Sequence, residues 1–244
     1  HLCWLSGDPY PRKIQDCLDS WKKHLPSYEI ILWDTRRFNI HEVPWVEQAF
    51  NAKKYAFAAD YIRLYALYHH GGIYLDSDVE ILKSLDNFLE LPYFVGAETS
   101  GTIEAAILGA EKGCDWIKCC LDYYEGRSFI REDGSYDIRM LPEILNETIL
   151  RLKPVVNMPS GSTIDDLKKK DLGEAVYVLP KEYFSPKVFD SREVFLTPET
   201  HAIHHYQNSW FSHKAFAYYR TRTLFIKLFG YKAVRSLEKM LLKR

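Results

Sequence analysis

A chain of 244 residues with 47% hydrophobic and 15% aromatic content is long enough for one α/β domain with a sizeable core, and this composition excludes a disordered protein. No apolar run approaches the roughly 20 residues of a membrane-spanning helix, and five cysteines (Cys3, Cys17, Cys114, Cys119, Cys120) without C-x-x-C spacing argue against a zinc site and a disulfide framework and fit a reducing compartment. The net charge of −1 hides an asymmetry, because nine Lys or Arg face one acid, Glu238, from Ser212 to Arg244; an acidic body thus carries a basic tail that suits an anionic partner.

The sequence starts at His1 rather than Met, which leaves a preceding targeting segment open. His1 to Leu5 reads as the end of a first strand, followed by the loop Ser6-Gly7-Asp8-Pro9. Trp4, at that junction, reads from sequence alone as a core tryptophan. Pro11 suits a first helical turn. Ile14, Cys17, Leu18, Trp21 and Leu25 then recur at helical spacing, and Pro26-Ser27 stops the helix. Tyr28 to Trp33 reads as a buried strand and Asp34 to Asn39 as a polar loop. Strand, helix and strand in this order suit a parallel sheet. Val43 to Phe50 suits a short helix.

From Ala52 to His70 no Gly or Pro interrupts residues that favour or tolerate a helix, and Gly71-Gly72 end it. Tyr55 to Tyr68 is almost wholly apolar, so this helix is expected to be buried on most sides. Asp60 and Arg63 break the run. They lie three apart on one face, able to pair with each other or with a ligand. Ile73-Tyr74-Leu75-Asp76-Ser77-Asp78-Val79 follows. If the chain stays extended, Tyr74, Asp76 and Asp78 share a face. Two carboxylates so placed repel each other unless a divalent cation lies between them and a substrate. Mg2+ or Mn2+ take oxygen ligands and leave positions for substrate phosphates. Ligands of open α/β sheets bind beyond the carboxyl ends of strands, where this pair would sit. Each piece also has a plainer reading: a solvated Asp-x-Asp loop, and a structural Asp60–Arg63 ion pair.

Tyr93 to Ala97 reads as a strand, Glu98 to Glu104 as a loop and Ala105 to Leu108 as an apolar run. Gly113 to Tyr124 suits a helix, Phe129 to Tyr136 a loop, and Ile138 to Leu152 a helix interrupted near Pro142. After the loop Pro159 to Ser162 come a strand, Ala175 to Leu179, and the irregular Tyr183 to Pro186. Thr200 to Trp210 holds His201, His204 and His205. Beyond Ser212, Phe216, Tyr219, Thr223, Ile226 and Leu228, and after Gly230 Val234, Leu237, Leu241 and Leu242, read as two amphipathic helices rich in cations. They would either pack on the body or dock on an anionic membrane.

The pattern Asp60-x-x-Arg63, then Gly71-Gly72-x-Tyr74-Leu75-Asp76-x-Asp78, resembles glycosyltransferase family 32. These are sugar transferases with a DXD motif, related to the large clostridial glucosylating toxins. The resemblance implies an α/β GT-A fold, a mixed, mainly parallel sheet between helices, over residues 1–211, with 212–244 as a basic helical extension. It implies a retaining enzyme that moves a hexose from a nucleotide sugar, a UDP-hexose ahead of GDP-mannose, to a glycan or lipid-linked glycan. That activity would serve surface polysaccharide or capsule synthesis in the cytoplasm, in contact with the inner face of the membrane. Asp60, Arg63, Asp76 and Asp78 would be catalytic. Mn2+ or Mg2+ would sit on Asp76, Asp78 and a late histidine, His205 ahead of His204. Trp4 would stack on the base, with Leu5, Tyr74, Ser209 and Trp210 also touching the donor. Ala106 to Gly113 would lie near the sugar and acceptor. Leu141-Pro142 departs from the Gly-Pro of many relatives. No nucleic-acid partner is expected.

Two rivals come from other classes. An aspartate-nucleophile phosphohydrolase of the haloacid dehalogenase type also ends an apolar strand in Asp-x-Asp. It normally has Thr or Val two residues after the second Asp, where this chain has Glu80. A non-catalytic carbohydrate-binding protein is the other.

Overall fold

The structure, a computed structural model, describes residues 1–188, 192–207 and positions 221, 222, 224, 225 and 228. Its strands are β1 (Leu2–Cys3), β2 (Leu32–Trp33), β3 (Gly72–Leu75), β4 (Val79–Ile81), β5 (Tyr93–Ala97), β6 (Ile103–Ala110), β7 (Val155–Asn157), β8 (Val176–Val178) and β9 (Ala202–His204). The helices are α1 (Arg12–His24), α2 (Pro44–Asn51), α3 (Tyr55–His70), α4 (Asp115–Asp122), α5 (Leu141–Leu152) and α6 (Ile164–Lys168).

Seven strands line up as β2-β1-β3-β6-β5-β8-β7. β1 pairs in parallel with β2. The His1 amine donates to Ile73 O and Leu75 N to His1 O, which joins β1 in parallel to β3. β6 lies antiparallel between β3 and β5. A parallel bridge from Gly96 to Leu179 carries the sheet to β8, which runs parallel to β7. Among the described strands of this layer only β6 runs against the rest, so the sheet is mixed and mainly parallel. A separate antiparallel ribbon pairs β4 with β9.

The pleat divides the core. Cys3, Tyr74, Tyr93 and Val95 face α3, Trp45, Trp116 and Ile144. Leu2, Leu75 and Phe94 face Ile14, Leu18 and Trp21 of α1, with Val79, Ile81, Phe88 and Phe184. Helix α3 buries Phe57, Ala58, Ile62, Leu64, Ala66 and Leu67, which explains its lack of a polar face. Each large apolar side chain so buried contributes roughly 1.5–3 kcal/mol. Gly71 ends α3 at φ +69°, and a Cβ there would lie 2.7 Å from Lys112 N. Both the backbone conformation and the space require glycine.

Several boundaries differ from expectation. Helix α3 starts at Tyr55, because Lys53 turns left-handed at φ 56°. Pro142 lies in the first turn of α5, where its missing N–H is harmless, instead of interrupting the helix. Glu104 lies inside β6 and not in a loop. The strand expected from Tyr28 shrinks to Leu32–Trp33. Positions 221, 222, 224, 225 and 228 are helical; the rest of 212–244, and with it the expected pair of amphipathic helices, lies outside the described residues. No helix of the described residues is long and apolar enough to cross a membrane.

Gly109 tests the packing between the layers. It pairs with Phe94 across β5 and β6, and a Cβ there would overlap the Phe94 ring. Gly109→Ala should lower stability by about 1–3 kcal/mol in urea titrations, the usual range for overpacking. An unchanged midpoint would mean that the Phe94 ring swings clear.

Candidate active site

The parallel strands β1 and β3 end at one edge of the sheet, with Trp4 just past the first and Asp76 just past the second. β3 stops at Leu75. Asp76 N still donates to Ala106 O at 2.8 Å, then Val79 N folds back to Asp76 O at 3.0 Å. A tight turn, not a continuing pleat, therefore aims Asp76 and Asp78. The chain turns there because β4 leaves the sheet to pair with β9.

Asp76 is held from behind. Arg63 Nη2 lies 3.2 Å from Asp76 Oδ1 and 3.1 Å from Asp60 Oδ1. Its Nη1 donates to Ala105 O at 2.6 Å. The guanidinium sits over the Tyr74 ring, 4.7 Å from its centroid, and the Tyr74 hydroxyl donates to Asp76 Oδ1 at 3.0 Å. Arg63 thus directs its Nη groups at protein acceptors, and its Nε is buried without a partner. Burial pushes the Asp60 carboxyl up to about 7; Arg63 opposes the rise and Asp76 adds to it. Asp76 is raised too, first by burial. One buried cation between two carboxylates neutralises one of them, and the other ionises less readily.

The second half of the site comes from the ribbon. Val79 pairs with His204, which sets His204 Nε2 3.6 Å from Asp78 Oδ1. Asp78 Oδ2 accepts from Gln207 N–H at 2.8 Å, and its carbonyl accepts from His205 N–H at 3.1 Å. One ligand atom each from Asp76, Asp78 and His204 lies within 4.8 Å of the others. Two carboxylates and an imidazole suit a divalent cation such as Mn2+ or Mg2+, and the spacing leaves room for one among them. His205 does not join them. Its Nε2 lies 2.8 Å from Glu80 Oε2 and its Nδ1 is 3.3 Å from Lys187 Nζ. The geometry therefore brings His204, and not the expected first choice His205, to the carboxylates. Neighbours along an extended chain point to opposite sides.

Behind His204 stands Glu104, expected in a loop and found in β6. It is 3% exposed. Oε1 accepts from Ala106 N–H at 3.0 Å; Oε2 accepts from Ser185 Oγ at 2.6 Å and lies 3.2 Å from His204 Nδ1 and 3.4 Å from the Tyr206 hydroxyl. Burial alone would raise this carboxyl, but His204 and the other donors hold it down at about 2. Burial would likewise lower His204, yet Glu104 and Asp78 lift it to about 9. The available signal was a single acid between Ile103 and the apolar run Ala105 to Leu108: a charge inside a buried strand needs a partner.

The other expected donor contacts separate. Trp4 is half-buried, its Nε1 donating to Asp8 O at 2.9 Å and its ring 4.9 Å from that of Tyr10. Leu5 is buried in the core and Tyr74 lies beneath Asp76, so neither side chain faces outward. Ala106 to Ala110 are strand β6, with the side chains of Ala106, Ile107 and Leu108 in the core. Ser209 and Trp210 lie outside the described residues.

Residues 11–95 match the family described as glycosyltransferase sugar-binding region containing DXD motif. Asp76-Ser77-Asp78 is the one Asp-x-Asp in that span. Over that segment the chain is similar to a DXD-type glycosyltransferase sugar-binding region. Curated relatives are similar to part of the chain as well. Inositol phosphoceramide mannosyltransferase 3 of Schizosaccharomyces pombe is 35% identical over 117 residues, 46% of this chain and 33% of the relative. Mannosyl phosphorylinositol ceramide synthase SUR1 of Saccharomyces cerevisiae is 33% identical over 109 residues, 40% of this chain and 28% of the relative. An uncharacterized glycosyltransferase, L373 of Acanthamoeba polyphaga mimivirus, is 27% identical over 144 residues, 57% of each chain. The chain matches about a third of the length of the first two. Among solved structures, the PaToxG glycosyltransferase aligns at a TM-score of 0.47 and 19% identity, covering 62% of this chain and 67% of its own.

The raised Asp60 carboxyl makes a pH prediction. Its folded value lies above the unfolded one, so its contribution to stability is full below about pH 4 and is lost as the pH rises through about 7. Asp60→Asn keeps an oxygen for Arg63 and removes the ionisation. In chemical denaturation at pH 8 the variant should be more stable than wild type by on the order of 1–3 kcal/mol, and the gap should close toward pH 4. A constant difference across that range would contradict the assignment.

Proposed function

We propose that this chain is a metal-dependent, retaining glycosyltransferase that moves a hexose from a nucleotide sugar to a hydroxyl of a glycan or glycolipid. The observation that carries the reading is the convergence of Asp76, Asp78 and His204 at the carboxyl edge of the sheet, within and opposite the DXD region. Breaking the bond from sugar to diphosphate builds negative charge on the leaving group and positive charge on the ring. A divalent cation, Mn2+ or Mg2+, held by Asp76, Asp78 and His204 would supply Lewis-acid stabilisation of the leaving diphosphate. Arg63 and Tyr74 fix Asp76 before any ligand arrives, so no reorganisation is needed at the moment of reaction. Asp60 gives one oxygen to Arg63; with a value near neutrality its other oxygen can accept from a sugar hydroxyl or donate to one. Trp4, half-buried at the same edge, offers a ring face to the base. Retention of configuration rests on the family resemblance.

The names of the fungal relatives support mannose as the transferred sugar and an inositol-containing lipid as the kind of acceptor. A nucleotide-linked mannose therefore moves ahead of the UDP-hexoses favoured by the sequence reading. A lipid acceptor gives the basic 212–244 segment a use: we place the enzyme on the cytoplasmic side, against an anionic membrane surface. Each Lys or Arg near such a surface contributes about 1 kcal/mol.

Two experiments follow. Donor hydrolysis should be measured with Mn2+ for GDP-mannose, UDP-glucose and UDP-galactose. Turnover should vanish with EDTA and fall on the order of a hundredfold or more in Asp78→Asn, about 3 kcal/mol of barrier, while Ser77→Ala stays near wild type. Turnover that survives EDTA, or that appears only with a simple phosphate ester, would refute the reading. A chain ending at Ser212 should no longer sediment with vesicles of anionic lipid, yet should hydrolyse donor at the same rate. Equal binding of the full chain to neutral vesicles would argue against the membrane role.

A further inference from the structure

We infer that Glu104 is a positioning residue that fixes which nitrogen of His204 faces Asp78; the inference rests on reading Asp76, Asp78 and His204 as a cation site. Glu104 lies 100 residues before His204 in sequence, on β6, and the two side chains meet only because β9 docks beside β4. Glu104 is not itself a candidate ligand. The ligand atoms that converge come from Asp76, Asp78 and His204, while Glu104 Oε1 accepts from Ala106 N–H and its Oε2 is turned to Ser185 Oγ, the Tyr206 hydroxyl and His204 Nδ1. An ionised acceptor beside Nδ1 requires the proton there. The lone pair of the neutral ring is then on Nε2, the nitrogen 3.6 Å from Asp78 Oδ1. Outer carboxylates of this kind orient metal-ligating histidines and raise their basicity.

The arrangement predicts an unusual effect of a nearly isosteric change. In Glu104→Gln the amide oxygen must face Ala106 N–H, a backbone donor that cannot rotate away. The amide NH2 then faces Ser185 and Tyr206, whose hydroxyls can turn to accept, and His204 Nδ1. The imidazole can accept only by moving its proton to Nε2, where it blocks the cation. Shape is preserved and the tautomer is reversed.

Mn2+ affinity, read from the free-ion EPR signal, should fall 10–100-fold in Glu104→Gln. Ser185→Ala and Tyr206→Phe remove donors but leave the acceptor of His204, so both should bind Mn2+ about as wild type does. In metal-free wild type with the imidazole neutral, ring nitrogen shifts should show the Nδ1–H form; Glu104→Gln should show Nε2–H. Folded Glu104→Gln with wild-type affinity would overturn the inference. So would an Nε2–H tautomer in the wild type, a test that stands even if the variant does not fold. If His204→Ala binds Mn2+ as tightly as wild type, the fault lies with the cation site and not with Glu104.

Discussion

Arg63 leaves water with one carboxylate a helical turn before it and another past the end of the next strand. Its Nη atoms reach Asp60, Asp76 and Ala105 O, so one side chain ties α3, the turn after β3 and strand β6 together. Such a group is tolerated in a core only when paired, and removing it would leave two buried carboxylates without a cation, a loss of about 3–5 kcal/mol. Burial, with Asp76 beside it and against the pull of Arg63, raises the Asp60 carboxyl to about 7. The position of Asp76 is fixed by the fold and does not wait for a ligand.

Asp78 depends on the other end of the chain. The β4–β9 ribbon brings His204 to it, and the backbone N–H groups of His205 and Gln207 close on its carbonyl and carboxylate. Tyr206, between them, is left-handed at φ 53°. Non-glycine residues in that region carry strain, and such residues gather at functional sites. Glu104 anchors the same segment from the core side. A candidate site that looks like a short motif in sequence is, in space, a joint between the DXD turn and residues 201–207.

Local signals carried much of the fold. The apolar spacing of α1, the glycine stop after α3 and the strand Tyr93–Ala97 all stand where the residues pointed. Strands of two or three residues, β2, β7 and β9, are too short to show a period, and hydrogen bonds to distant partners define them. The same limit governed the site. Asp60 and Arg63 lie three apart on one helix and pair as that spacing allowed, whereas the contact of Arg63 with Asp76 depends on how α3 packs against the end of β3. The choice between His204 and His205 turns on the register of β9 against β4, which nothing near residue 204 reveals. Glu104 was hidden because its partners, Ser185 and His204, come from the far side of the sequence. Tyr74 and Leu5 carry residue types suited to donor contact, yet both side chains are buried in the core.

The DXD turn and His204 are proposed to form one cation site. Pulsed EPR of Mn2+ bound to the protein tests it most directly, because a coordinated imidazole imprints its nitrogen on the electron spin echo. One histidine nitrogen should modulate the echo, an effect that disappears in His204→Ala and persists in His205→Ala. Modulation lost in His205→Ala instead, or unchanged in both variants, would contradict it.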